Sequence, residues 1–371
     1  MRNNKYVLLT GSINNAGDYL IKYRAKNLLS QLRPDRDLVD MDRWKPLTEE
    51  QLETINSSKA LILTGGPGLR PNMYPEIYPL TSNLNDIKVP ILTLGLGYRD
   101  ANGDWWNIAN SKYSQPTQKL LHRINESGYL SGVRDYNTLN SLRFSGFKNF
   151  IMTGCPALYD LNLINQQLRI ESLNTISFSL GVSYSYNKHF FTSMSKVITE
   201  LKNFFHNKDF RVLFHHKINR DEQWQNEMIK MLEFQKINFI DISGSEKLLR
   251  EEYDKTDLHI GYRVHAHIYM CSISKPSILI SEDGRGKALF QVLGGVLMDS
   301  YYISSFGQWL SGKFGNSKGI SLSRKPVENL EKHLIENLDY EIKHNYPRLR
   351  PIRNNILNYY SDMKKYIDQL P

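Results

Sequence analysis

Only two cysteines, Cys155 and Cys271, occur among 371 residues. That excludes a disulfide framework, and both read as reduced, buried thiols. No stretch approaches the roughly 18 apolar residues that a membrane span needs. The opening "MRNNKYVLLTGS" has an apolar run shorter than a signal segment requires and leads directly into a strand, so a cytoplasmic protein is expected. Low-complexity tracts are missing as well. With 40% hydrophobic and 23% charged residues, long disorder is not expected. Metal signatures are absent: there is no H-E-x-x-H and no paired C-x-x-C, and the adjacent His215 and His216 face opposite ways on a strand. No complete G-x-G-x-x-G follows the first strand, and "SEDGRGKA" carries Ala288 where a P-loop needs Ser or Thr. Nor is there an acidic balance. Lys and Arg outnumber Asp and Glu by 47 to 38, a net +9 spread along the chain, which favours an anionic small substrate or a negatively charged surface. The 22 tyrosines form no repeated aromatic-basic module, so nucleic acid is not an expected partner.

What is present is an alternation of short apolar runs with helix-compatible stretches, the pattern of an α/β protein with parallel sheets. "KYVLLTGS", "DLVDM", "KALILTGGPGL", "VPILTLGLGYRD", "GYLSGVRD" and "NFIMTGCPAL" read as strands, most of them ending in glycine plus a polar residue. Asp18 opens the first helix. A second series, "TISFSLGVSYS", "FRVLFHHK", "INFIDIS", "DLHIGY" and "PSILIS", follows the polar stretch from Leu163 to Asn174. The length suits about two domains. The expected architecture is two Rossmann-like domains facing a cleft, residues 1–165 and 172–325, followed by C-terminal helices over 326–371 that pack across them. "YRDANGDWWNIANSKYSQPTQ" is expected to be a loop near the cleft, either a plain surface connection or one whose two tryptophans stack on a sugar.

In an open α/β sheet the carboxyl ends of the strands line the ligand crevice. The turns holding Asn15, Gly17 and Asp18, then Gly65 and Gly66, then Gly97, are therefore candidate cleft residues, although each alone is also an ordinary strand-to-helix turn. "GYRVHAH" is more specific. A helix starting near Val264 places Arg263 and His265 in its first turn, where backbone N–H groups and the helix dipole favour an anion. Arginine can grip phosphate or carboxylate in two-pronged fashion, and histidine can move a proton near neutral pH. His267, two positions on, points away from His265. "SEDGRGK" offers Asp283, Arg285 and Lys287 at a strand end. In "GVRDYN" Asp135 or Asn137 can cap a helix, whereas Arg134 has no structural explanation.

Taken in order, "NAGD", "GGPGL", "GLG", "VRD", "GCPAL", "GYRVHA" and "EDGRGK" resemble the polysaccharide pyruvyl transferase family, over nearly 300 residues, with the arginine-x-histidine motif carrying the most weight. Two departures from the family pattern are "GGPG" in place of three consecutive glycines and an inserted-looking Gly-Arg before Lys287. The resemblance implies a GT-B-like fold and transfer of the pyruvyl group of phosphoenolpyruvate to a sugar hydroxyl as a ketal, in surface polysaccharide synthesis for the cell envelope. It implies no cofactor and no metal. By carry-over His265 is the catalytic histidine beside Arg263, with Arg134, Asp283 and Lys287 on the donor side. The acceptor would be a sugar or lipid-linked oligosaccharide, with peripheral contact at the inner membrane face. Two alternatives stay open: a GT-B glycosyltransferase using a nucleotide sugar, with Glu282 or Asp283 on its ribose, and a non-catalytic sugar- or anion-binding protein.

Overall fold

Apolar runs of three to six residues build the framework. The computed structural model describes residues 4–303 and 324–371, apart from 12, 14, 100–102, 171 and 183–186. The first half runs β1 (Lys5–Thr10), α1 (Ala16–Leu32), β2 (Asp37–Asp42), α2 (Glu49–Asn56), β3 (Ala60–Thr64), β4 (Ile91–Leu94), α3 (Trp105–Ala109), α4 (Gln115–Asn125), β5 (Ser131–Val133), α5 (Tyr136–Phe144) and β6 (Phe150–Met152). Strands β1, β3 and β4 are buried almost throughout, as parallel strands covered by helices on both faces must be. Their order is β2-β1-β3-β4, all parallel. The β5–β6 pair continues beyond β4, because Gly95 N donates to Gly132 O at 2.9 Å and Arg134 N to Leu96 O at 2.9 Å. The sheet thus grows one way from β1 to β2 and the other way from β3 onward.

The second half runs β7 (Thr175–Ser179), α6 (Lys188–Phe204), β8 (Asp209–Phe214), α7 (Gln223–Phe234), β9 (Asn238–Asp241), α8 (Glu246–Asp254), β10 (Leu258–Gly261), α9 (Val264–Ser272), β11 (Ser277–Ser281), α10 (Gly284–Leu293) and β12 (Leu297–Asp299). Its parallel order, β12-β11-β10-β7-β8-β9, is that of a doubly wound sheet whose direction reverses between β7 and β10. Strand β12 adds a sixth strand where the sequence suggested five; three residues are too few to show a period. The expected loop around the tryptophans is not loop throughout: it holds the short α3 and the first residues of α4, since Asp104 caps α3 and Ser114 caps α4. Helix α1 begins at Ala16 with Asn15 as its cap, which puts Asp18 in the first turn and not at the start.

Beyond β12 come a two-stranded ribbon of β13 (Tyr301–Ile303) and β14 (Arg324–Pro326), then α11 (Leu330–Lys343) and α12 (Ile352–Asp368). Helix α12 touches both halves. Its Tyr366 hydroxyl donates to Thr93 O at 2.7 Å in the first sheet. Its buried Arg353 donates to the carbonyls of Gln166, Cys271, Ser272, Leu163 and Ile164 at 2.7–3.2 Å, tying the connecting segment to the end of α9. Cys155 and Cys271 are buried and unbonded to each other.

Candidate functional site

In each sheet the point where strand order reverses opens a crevice at the carboxyl ends, and here the two crevices face one another. The first lies between β1 and β3 and is closed by the start of α1. The Asn15 side chain accepts from Gly17 N at 3.2 Å and donates to Asp18 Oδ2 at 3.4 Å. The second lies between β7 and β10, with α9 starting directly after. Arg263 is the cap residue of α9, and its backbone N–H donates to Ser179 Oγ at 3.1 Å. That hydroxyl belongs to a buried chain: Ser179 bonds His259 Nε2 at 2.8 Å, and Ser277 Oγ bonds both His259 Nδ1 and His267 Nδ1 at 2.8 Å. His267 therefore anchors α9 to the sheet, away from the cleft, as its spacing from His265 predicts.

His265 crosses the seam. A Cβ placed on Gly17 would lie 2.6 Å from His265 Cγ and 2.8 Å from its Cβ, so the imidazole occupies the space that a side chain would fill. Gly17 is needed for this close approach and not for backbone freedom. His265 Nε2 is sealed from solvent and has no hydrogen-bond partner among the described residues. Burial, and then Arg134, Arg285 and Arg263, push the imidazole down to about 3, so it is neutral at pH 7.

Guanidiniums ring this histidine. Arg134 is buried, pairs with Asp135 Oδ2 at 3.0 Å and lies against Gly97, where a Cβ would meet its Cδ at 2.7 Å. Asp135 also caps α5 through Thr138 N at 2.7 Å. The Arg263 side chain bonds His216 Nδ1 through Nη2 at 3.4 Å, and burial lowers its proton affinity. Arg285 is gripped by Asp283, with Nε to Oδ1 at 3.0 Å and Nη2 to Oδ2 at 2.6 Å.

Three arginines escaped sequence reasoning. Arg43, just past β2, is buried, presses on Gly11 and lies over the Trp44 ring at 4.6 Å, with its Nε unpartnered among the described residues. Arg70 is lowered to about 10 by burial and by Arg99, Arg43 and Arg285 around it. Arg70 and Arg99 stand within the turns "GGPGLRP" and "LGLGYRD", and for these two the signal was there, an arginine inside a glycine-rich strand end. Asp18 faces this group. A Cβ on Gly66 would lie 3.6 Å from Arg43 Nη1 and 3.9 Å from Asp18 Oδ1. Burial raises the Asp18 carboxyl, opposed by Arg43, Asn15, Arg263 and Arg285 in that order.

Other candidates are placed differently. Gly65, at φ +56, approaches Ile21 of α1 and serves the turn's packing. The Asp283 carboxylate caps α10 through Arg285 N at 2.9 Å and holds the Arg285 side chain, so it is not a free donor ligand. Lys287 turns toward Asp299, at 3.6 Å, and the Tyr301 ring. The Glu282 carboxylate accepts from Val182 N at 2.7 Å. The Gly-Arg that looked inserted before Lys287 forms the first turn of α10.

The family model of polysaccharide pyruvyl transferases matches residues 15–284, from the cap of α1 to the start of α10. The chain belongs to the polysaccharide pyruvyl transferase family. The match begins at Asn15 and includes Arg134, Arg263 and His265, so this transferase family's region contains both crevices. No curated protein matches the chain significantly. Among solved structures, the UDP-GlcNAc 2-epimerase from Neisseria meningitidis bound to UDP-GlcNAc aligns with a TM-score of 0.53 and 10% identity, covering 97% of this chain and 98% of its own. A protein assigned as a UDP-N-acetylglucosamine 2-epimerase from Listeria monocytogenes aligns with a TM-score of 0.53 and 9% identity over 96% of this chain and 94% of its own. At such identities the likeness concerns fold alone, and the fold of this pyruvyl transferase family member is GT-B.

Proposed function

We propose that the protein transfers the pyruvyl group of phosphoenolpyruvate to sugar hydroxyls as a ketal, in the building of surface polysaccharide on the cytoplasmic side of the membrane. The observation that carries this reading is the charge around His265. Arg43, Arg70, Arg99, Arg134, Arg263 and Arg285 stand against Asp18, Asp135, Glu282 and Asp283. Positive charge is in excess, which suits a small donor carrying both phosphate and carboxylate. The glycosyltransferase alternative needs a free carboxylate for a ribose; Glu282 and Asp283 already bind Val182 and Arg285, which weighs against it.

Burial, and then the guanidiniums, hold His265 neutral. Donor anions would offset them and raise the imidazole's affinity for a proton. The imidazolium then gives that proton to the donor's methylene carbon. C2 becomes electron-poor, a sugar hydroxyl adds to it, phosphate departs with the C–O bonding pair, and a second hydroxyl closes the ketal. Of the two hydroxyl protons released, one restores the imidazolium and the other leaves with the phosphate. Arg134, Arg263 and Arg285 stabilise the charge that moves onto the leaving phosphate, and Asp18, with Asn15, Gly17, Gly66 and Gly97 around it, lines the acceptor side. Guanidinium supplies the positive charge, so this step calls on no cofactor.

The test is incubation with phosphoenolpyruvate and a panel of sugar and lipid-linked acceptors, measuring phosphate release. His265→Ala should abolish turnover while phosphoenolpyruvate still raises the melting temperature. Stabilisation by nucleotide sugars and not by phosphoenolpyruvate would reverse the reading in favour of a glycosyltransferase.

A further inference from the structure

The exposed aromatic surface beside the cleft is not used by the reading above. Trp105 and Trp106 are 61% and 68% exposed, and Phe144 is 53% exposed. Large aromatic rings usually bury most of their area, so three side by side require an explanation. They form one surface, since Trp105 meets Phe144 edge-on at 5.2 Å, joining α3 to α5. Helix α3 is held from below by the buried Ile108 and by its Asp104 cap, so it presents the two indoles from a fixed base. The patch begins at the edge of the cleft and runs to the far end of α5: Gly103, two residues before Trp105, lies against the start of α10, where a Cβ would come within 2.8 Å of Gly284 Cα, and Phe144 closes α5.

The shape distinguishes between possible occupants. Successive residues on a helix point about 100° apart, so the two indoles form a convex wedge. A sugar chain stacks on flat rings lining a groove, whereas a wedge of indoles suits the headgroup region of a bilayer, where tryptophan concentrates. Charge points to the same partner. From Trp105 to Lys148 the exposed lysines and arginines are Lys112, Lys119, Arg143 and Lys148, against one exposed acid, Glu126. Arg143 is next to Phe144 itself. An apolar wedge flanked by cations matches an anionic lipid surface.

We propose that α3 and the end of α5 dock the protein on an anionic phospholipid bilayer, with Trp105, Trp106 and Phe144 entering the headgroup layer and Arg143 and Lys112 meeting lipid phosphates. This sets the α3 edge of the cleft beside the membrane and does not depend on which donor the site uses.

The test is flotation of the full chain with vesicles of phosphatidylcholine alone and of phosphatidylcholine with phosphatidylglycerol. Binding to the anionic vesicles is expected, accompanied by a blue shift of tryptophan emission and weakened by salt. A Trp105→Ser/Trp106→Ser double variant should float on the order of tenfold less or weaker still. An Arg143→Glu/Lys112→Glu variant should lose the preference for phosphatidylglycerol. All four positions are exposed, so melting temperatures should match the wild type and exclude misfolding as the cause. Failure of the wild type to float with either vesicle, or unchanged flotation of the tryptophan variant, overturns the proposal. So does tryptophan-dependent binding to a soluble oligosaccharide without any to vesicles, which would assign the wedge to sugar.

Discussion

Replacing Gly17 by alanine adds one methyl group at the seam between the two crevices. Its carbon would sit 2.6 Å from His265 Cγ and 2.8 Å from His265 Cβ. Comfortable carbon contacts are about 3.5–4.0 Å, so roughly 1 Å must be found. Rotating the imidazole does not provide it, because the Cβ, which does not move with χ1, is itself too close. Either α9 and α1 separate or the backbone of one of them shifts. Stability should change little: alanine favours a helix over glycine by about 1 kcal/mol, offsetting part of the strain, and the contact is a single one at a domain seam. Alignment should suffer much more. Misplacing a reacting group by about 1 Å can cost on the order of a hundredfold in rate. Phosphate release should therefore fall by about two orders of magnitude in Gly17→Ala while the melting temperature stays within a few degrees of wild type. A Gly17→Ala protein with wild-type turnover would show that the observed contact between α1 and His265 is not the arrangement in which chemistry occurs, and the assignment of His265 would lose its geometric support.

Donor binding should take up protons, because His265, lowered to about 3, is neutral at pH 7 and should gain proton affinity beside the donor's anions. Calorimetry in two buffers of different ionisation enthalpy reads this uptake, and His265→Asn should remove it. Acid should destabilise the second half. His215, His259 and His267 are all held by burial below the ordinary 6.5, to about 4 for His267. The unfolded chain then binds more protons, so stability is complete above about pH 6.5 and falls as pH drops toward the folded values. At pH 5 His267 alone costs about 2 kcal/mol, with His215 and His259 adding in the same direction, and urea midpoints at pH 7 and pH 5 measure the sum; coincident midpoints would contradict it. Arg353→Met should cost on the order of 3 kcal/mol or more, because five backbone carbonyls lose their shared donor, and urea unfolding reads it directly.

The alternation of strand and helix, and the importance of the strand ends, could be read from the sequence because parallel strands are continuous apolar runs and their ends are marked by glycine. Helix α9 starting at Val264 was readable for the same reason, as was the divergence of His265 from His267. Short elements were not. Strand β12 has three residues and α3 five, below any period that a sequence can display. The partners of charged groups were equally hidden. Nothing local says that Asp283 turns back onto Arg285, that Lys287 goes to Asp299, or that Arg43, 27 positions before Arg70, joins Arg70 and Arg99 in one group. Those facts depend on how the sheets twist and meet. The missing side chain of Gly17 is the same kind of fact: the residue was legible as a turn glycine, but the imidazole filling its space comes from a helix almost 250 positions away.

That seam also makes the register of the two halves part of the site. Neither half alone encloses His265: one contributes the imidazole and the other the gap that receives it. A relative shift of a single methyl's width parts the imidazole from the gap that receives it.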